Sequence, residues 1–219
     1  MSDALTTQIQ RFLDHLTVER GLSDNTIAAY RRDLGRYAGF LRGRDVRDAR
    51  KADEHLIAGF VAELSTATHD EGRPYRASSV VRALSAVRSF HRFLLREGQA
   101  ERDPAATVVR PRLPRSLPRP MPVEEVLRLL GAPPEGTPVG LRDRAVLETL
   151  YGGGLRVSEL AGLDIDDVEL EGGGVRVLGK GGKERDIPLG RYATEAISAY
   201  LRRARPGLAT SRSRAAKLK

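Results

Sequence analysis

Apolar residues recur at helical spacing through the first hundred positions of the chain. Leu5, Ile9, Phe12, Leu13 and Leu16 fall on one face of a first helix. Gly21-Leu22-Ser23-Asp24-Asn25 breaks that pattern and offers capping side chains to the next helix, which carries Ile27, Tyr30, Leu34, Tyr37 and Leu41. A third helix is predicted near Glu54–Thr66, with Leu56, Ile57, Phe60, Val61 and Leu64 as its apolar stripe. The fourth, about Ala77–Glu97, is the most informative. At about 100° per residue, Val80, Leu84, Val87, His91 and Leu94 share one face, which reads His91 as a core histidine.

The pattern changes after Asp103-Pro104. Between Arg110 and Pro120, four prolines and four arginines stand in eleven residues, which cannot be a helix interior and suits an extended, semi-rigid linker. Beyond it, helices are predicted at Pro122–Leu130, Leu141–Leu150 and Arg156–Leu163. Asp167–Glu171, Val175–Leu178 and Glu184–Pro188 read as three short strands. Gly172-Gly173-Gly174 and Gly181-Gly182 mark the turns between them. A last helix, Tyr192–Arg205, stops at Pro206-Gly207. The chain has no internal repeat.

Charge sharpens this picture. The net +8 of the 219 residues is unevenly spread: −2 over residues 1–72, +8 over 73–119, −5 over 120–201 and +7 over 202–219. A basic belt in mid-chain points to a polyanionic partner, with nucleic acid the default, although a solvated arginine-rich surface would look the same. On the fourth helix, Arg82, Ser85, Ser89, Arg92 and Arg96 lie within an arc opposite the apolar face, and no acid occurs from Gly72 through Arg96. Ordinary exposed faces mix signs, so this stripe reads as a contact to a phosphate backbone; Arg88 on the same helix is counted with it. Arg112, Arg115 and Arg119 make the linker either a basic strap along a duplex or a plain tether. With no cysteine there is no disulfide framework, thiolate metal site or Cys nucleophile. No apolar run approaches the roughly 18 residues of a membrane span, and no signal-peptide core opens the chain, so a cytoplasmic protein is expected.

Two short motifs carry candidate chemistry. Gly154-Leu155-Arg156-Val157-Ser158-Glu159 places Arg156 at a glycine-to-helix junction, with Glu159 on the same helical face to steady it. Alone, it could equally be a surface ion pair. Val177-Leu178-Gly179-Lys180-Gly181-Gly182-Lys183-Glu184-Arg185 puts Lys180 at the tip of a glycine-rich hairpin, where a lysine can reach a phosphate or a leaving oxygen. A nucleotide-binding loop is rejected, because Gly181 stands where Ser or Thr should follow Lys180 and the stretch reads strand–turn–strand.

Together the motifs are specific. LYGGGLRVSELAGLDIDDVEL followed by VRVLGKGGKERDIPLG closely resembles the catalytic domain of tyrosine recombinases, the phage-integrase family, especially its Xer-type members. GLSDNTIAAYRRDLGRYAGFL and SSVVRALSAVRSFHRFLLREG resemble that family's core-binding domain, and DPAATVVRPRLPRSLP its linker. The resemblance implies a mainly α protein: an N-terminal four-helix, SAM-like core-binding domain (1–103), a basic linker (104–120), and an incomplete α+β catalytic domain with a small three-stranded antiparallel sheet (121–208). A basic tail follows (209–219). It implies that Arg156 grips a non-bridging oxygen of the scissile phosphate, that Lys180 is the general acid for the 5′-oxygen, and that Glu159 supports Arg156. Arg82, Ser85, Arg88, Arg92, Arg96, Arg112, Arg115, Arg119, Lys183 and Arg185 are the expected DNA contacts. The implied partners are a double-stranded recombination site, embraced by two lobes, and further protomers in a tetramer on two duplexes. No metal, nucleotide or other cofactor is implied. Xer-type members serve chromosome dimer resolution at cell division; integrases of phages and transposons are close relatives.

The family pattern goes on to a His-x-x-Arg motif, a second His or Trp, and a tyrosine nucleophile that forms a 3′-phosphotyrosine. All four histidines here (His15, His55, His69, His91) precede the linker, and Tyr151, Tyr192 and Tyr200 do not occupy the nucleophile's place. The expectation is a truncated or frameshifted member that binds DNA without cutting it. Its tail is then out-of-frame, artificially appended or a basic arm. Ile165, Val168, Ile187, Ile197 and Leu201 are expected to be under-packed.

Overall fold

A computed structural model describes residues 3–68, 72–113, 117, 119–179 and 182–209. The chain forms two compact units, Met1–Ser116 and Leu117–Lys219. Among the described residues it is mainly helical, with one small antiparallel sheet.

The first unit holds α1 (Ala4–Val18), α2 (Asp24–Arg42), α3 (Glu54–Thr66) and α4 (Ala77–Arg96), with a short 3-10 turn at Ala49–Lys51. Local chemistry fixes the starts of two helices. The Asp3 carboxylate accepts the Thr6 N–H at 2.8 Å, and Asp53 accepts the Leu56 N–H at 2.8 Å, each satisfying an orphan donor of a first turn. The four helices share one core built around Phe12, Leu34, Tyr37, Leu84, Phe90 and Leu94. The predicted inner face of α4 is buried in full, His91 included. Its Nε2 lies 2.9 Å from the Tyr37 hydroxyl, so the two buried polar groups satisfy each other.

The chain leaving this unit is fastened before it becomes the linker. Ala105 and Val108 are buried in the core, and Arg88 donates from Nε to the Ala105 carbonyl at 3.2 Å and from Nη2 to the Val108 carbonyl. Arg112 and Arg119 are exposed; Arg115 lies outside the described residues. Arg88→Ala leaves both carbonyls without that donor. It is expected to lower the urea unfolding midpoint, by about 1–3 kcal/mol in stability. An unchanged midpoint would show that the clamp contributes nothing.

The second unit holds α5 (Val123–Leu130), α6 (Pro138–Gly153), α7 (Val157–Ala161), β1 (Val168–Glu169), β2 (Gly174–Leu178), β3 (Glu184–Pro188), α8 (Arg191–Ala199) and α9 (Arg205–Leu208). The sheet runs β1-β2-β3, both pairings antiparallel, with Val175 opposite Ile187 and Val177 opposite Arg185. Leu155, Val175 and Val177 form its buried cluster, under Leu150, Leu160 and Ile187.

Three elements depart from the sequence reading. The strand expected over Asp167–Glu171 is only the two residues of β1, because a 3-10 turn at Ile165–Asp167 leads into it and the glycine turn begins directly after it. Helix α6 starts a turn earlier than Leu141, because Thr137 caps it, its hydroxyl accepting the Gly140 N–H at 3.0 Å, and Pro138 fits the first turn. The expected single last helix is three pieces: α8, a π-helical turn at Tyr200–Ala204, and α9 with Pro206 in its first turn. Proline has no N–H to continue the ladder, and the backbone widens just before it. Of the five residues expected to be under-packed, Ile197 is buried, Ile165 is exposed, and Val168, Ile187 and Leu201 are half-buried. A cavity of about 570 Å³ opens beside Ile165, Val168, Ile197 and Leu201.

Candidate nucleic-acid interface

Arg156 stands between α6 and α7. Gly154 ends α6 with φ +60°, a left-handed conformation that an L side chain resists, and this turns the chain into the short α7. Arg156 is the residue just before α7, and Glu159 reaches back from the first turn to accept its backbone N–H at 2.9 Å. The same carboxylate accepts the Arg156 Nη1 at 2.7 Å.

Glu159 also holds a third group. Arg185 on β3 donates to it from Nη1 at 3.0 Å and from Nη2 at 3.1 Å, a two-pronged pair. These bonds, those from Arg185 foremost and then the Arg156 backbone N–H, pull the Glu159 carboxyl down to about 2. Glu159 is therefore an anion throughout the neutral range, and the trio keeps one surplus positive charge. Its side chain is 5% exposed while that of Arg156 is 69% exposed. The arrangement braces an outward guanidinium from beneath, which suits a phosphate oxygen.

The sequence pairs Glu159 with Arg156 but misses Arg185 as its partner across the sheet. Arg185, an expected DNA contact, is exposed, and its terminal nitrogens tie β3 to α7. Gly179 makes room for this, since a Cβ there would lie 2.7 Å from the Arg185 Nη1. The hairpin is closed by the Gly179 N–H donating to the Lys183 carbonyl at 2.7 Å. Lys183 is exposed beside it; Lys180 lies outside the described residues.

On α4 the predicted stripe is present. Arg82, Ser85, Arg92 and Arg96 are exposed and Ser89 is half-buried. Its members differ in what holds them. Arg96 has its Nη2 3.4 Å from the His15 ring, and Ser85 donates to the Val81 carbonyl at 2.8 Å. Arg82 is bound at two points by Asp33, an acid of α2 that the sequence reading passed over. Its signal was available: Asp33 falls among Tyr30, Leu34 and Tyr37, on the side of the helix that turns inward. Arg88 lies at the edge of the buried face, committed to the linker carbonyls. Among the described residues no group of three or more His, Cys, Asp or Glu could hold a metal ion, and no helix is long and apolar enough to cross a membrane.

Comparison with known proteins gives a consistent result. The phage integrase N-terminal SAM-like domain matches residues 9–98, and the phage integrase family matches residues 119–215, which reaches beyond the last quoted motif at Gly190 and into the segment expected to be a tail of separate origin. The chain is 47% identical over 210 residues to tyrosine recombinase XerD of Mycobacterium tuberculosis, covering 94% of this chain and 68% of that protein. Among solved structures it is similar to XerH site-specific recombinase bound to a palindromic difH substrate, with TM-score 0.67 and 16% identity, over 92% of this chain and 70% of the other. It is also similar to a lambda integrase tetramer bound to a Holliday junction, with TM-score 0.66 and 21% identity, over 89% and 55%. These two likenesses are likenesses of fold.

Proposed function

We propose, the chain being a member of the tyrosine recombinase (phage integrase) family, that it binds duplex DNA at a site of recombination and presents Arg156 to a backbone phosphate there. The observation that carries this reading is the braced guanidinium: an exposed Arg156 held from below by a Glu159 that Arg185 locks in place. Phosphoryl transfer depends on positioning and on neutralising charge at the non-bridging oxygens, and a fork fixed before the substrate arrives does both. Lys180, which the sequence puts at the tip of the β2–β3 hairpin, is the proposed proton donor to the leaving oxygen. Lys183 and the exposed arginines of α4 and the linker hold the duplex through its phosphates. Further copies of a recombinase are proposed partners, as the lambda integrase tetramer on a Holliday junction suggests.

Within these 219 residues no His-x-x-Arg follows Lys180 and the last tyrosine is Tyr200. The chain as given is therefore expected to bind without forming a covalent link, since strand cleavage in this chemistry needs a tyrosine nucleophile. A nicked suicide duplex tests this. A shifted band on a native gel with no protein–DNA adduct on a denaturing gel is the expected outcome; a covalent adduct contradicts it. Absence of any shift would contradict the DNA-binding reading itself.

A further inference from the structure

In the N-terminal unit an acid sits where a DNA-binding surface should least tolerate one. Asp33 on α2 is 1% exposed, and its carboxylate accepts three hydrogen bonds from two arginines. Arg36, one turn along α2, donates to Oδ1 from Nη1 at 3.0 Å. Arg82 on α4 donates from Nε to Oδ2 at 2.9 Å and from Nη2 to Oδ1 at 3.1 Å, the planar two-point geometry that fixes a guanidinium in orientation as well as in place. Arg36 is held a second way, its guanidinium standing 5.0 Å from the Tyr75 ring centre.

Asp33 and Arg82 border a groove of about 330 Å³ between α2 and α4. Asn25, Thr26, Tyr30 and Ser85 line it together with Asp33 and Arg82. Arg82 is the one cation among its lining residues, and the carboxylate that holds it is buried beneath. Half of the Arg82 side chain is exposed, and its Nη1 makes no further hydrogen bond among the described residues. Ala29 and Ala86 complete walls that are mainly apolar, so the guanidinium is the polar feature of the groove. An exposed guanidinium edge fixed in orientation complements a backbone phosphate of duplex DNA.

We infer that Asp33 is a positioning residue for DNA binding: it holds Arg82 across the α2–α4 groove so that the free edge of the guanidinium meets a backbone phosphate. This deepens the proposed function and rests on it. The physical reason is entropy. A long arginine in solvent gives up its rotamer freedom when it binds a phosphate, whereas one already fixed by a buried carboxylate has lost that freedom on folding. The acid thus strengthens binding to an anion, although its own charge opposes that anion.

The opposition makes a clean test. The 219-residue chain is titrated into a fluorescent duplex of about 30 base pairs at fixed salt, followed by anisotropy. Asp33→Asn raises the net charge by one, so charge alone demands tighter binding; positioning demands binding about tenfold weaker. Arg82→Ala is expected to lose about as much, and the double variant no more than either single one, since both remove the same contact. Arg82→Lys keeps the charge and loses the two-point bond. It leaves the Asp33 carboxylate and its Arg36 partner in place and changes a half-exposed side chain, so it serves even where Asp33→Asn does not fold, as judged by circular dichroism. It too is expected to bind about tenfold more weakly. Unchanged or tighter binding by a folded Asp33→Asn, or unchanged binding by Arg82→Lys, overturns the inference while leaving the proposed function intact. A failure of the unaltered chain to bind the duplex overturns both.

Discussion

Acidification from pH 7 to pH 4 is expected to remove about 3 kcal/mol from the stability of the N-terminal unit through one residue, His91. His91 is enclosed by the core of α1, α2 and α4 and pairs with the Tyr37 hydroxyl. Burial pushes it down from 6.5 to about 4, with the nearby Asp103 charge acting weakly the other way. The unfolded chain, whose imidazole keeps its ordinary value, binds the proton first. The stabilisation is therefore complete above about pH 6.5 and is lost as pH falls toward the folded value. Carboxylates also contribute to acid unfolding. Arg42 holds Asp3, and Arg50 holds Asp48, well below the usual carboxylate range. Their contributions, and that of Glu159, fade only below about pH 5. Of these groups, His91 is the one whose contribution changes between pH 6.5 and 5. Urea titrations across that interval should show a falling midpoint that His91→Gln flattens, since glutamine offers Tyr37 a polar partner but does not titrate.

The second large effect is on binding. Raising salt from about 50 to 200 mM is expected to weaken duplex binding by about 10²- to 10³-fold, as roughly five phosphate contacts release their counterions. Arg82, Arg92, Arg96, Arg112, Arg119, Arg156 and Lys183 are exposed and available for such contacts. Arg88 is spent within the protein, so removing it should change the salt slope little. Removing Arg92 or Arg96 should lower it by about one unit each. A plot of log affinity against log salt for these variants separates phosphate contacts from internal ones.

Which residues fall on which side of that line shows what a sequence can tell. The inner face of α4 was legible because periodicity depends only on spacing, and every apolar position named there is buried. The sheet and its turns were legible from glycine pairs flanking β-branched runs. Helix α6 was read short because its cap, Thr137, lies in a proline- and glycine-rich stretch that looks like loop throughout. The last helix was read as continuous because the residues before Pro206 keep helical propensity, and a π turn leaves no mark on composition. In the candidate site, Arg156 and Glu159 are neighbours in sequence and were paired from spacing alone. Asp33–Arg82 and Glu159–Arg185 join separate elements. An arginine counted by charge looks the same whether it faces a phosphate or a buried carboxylate; only the packing of α2 on α4, or of β3 beside α7, distinguishes them.

Every functional proposal above requires that this chain hold a double helix through its backbone. Equilibrium titration of a labelled mixed-sequence duplex with the unaltered 219-residue chain, at about 50 mM salt, tests that requirement most directly. Saturable binding in the micromolar range or tighter, competed by unlabelled duplex, is the predicted result. No detectable binding by the folded chain at that salt would contradict it.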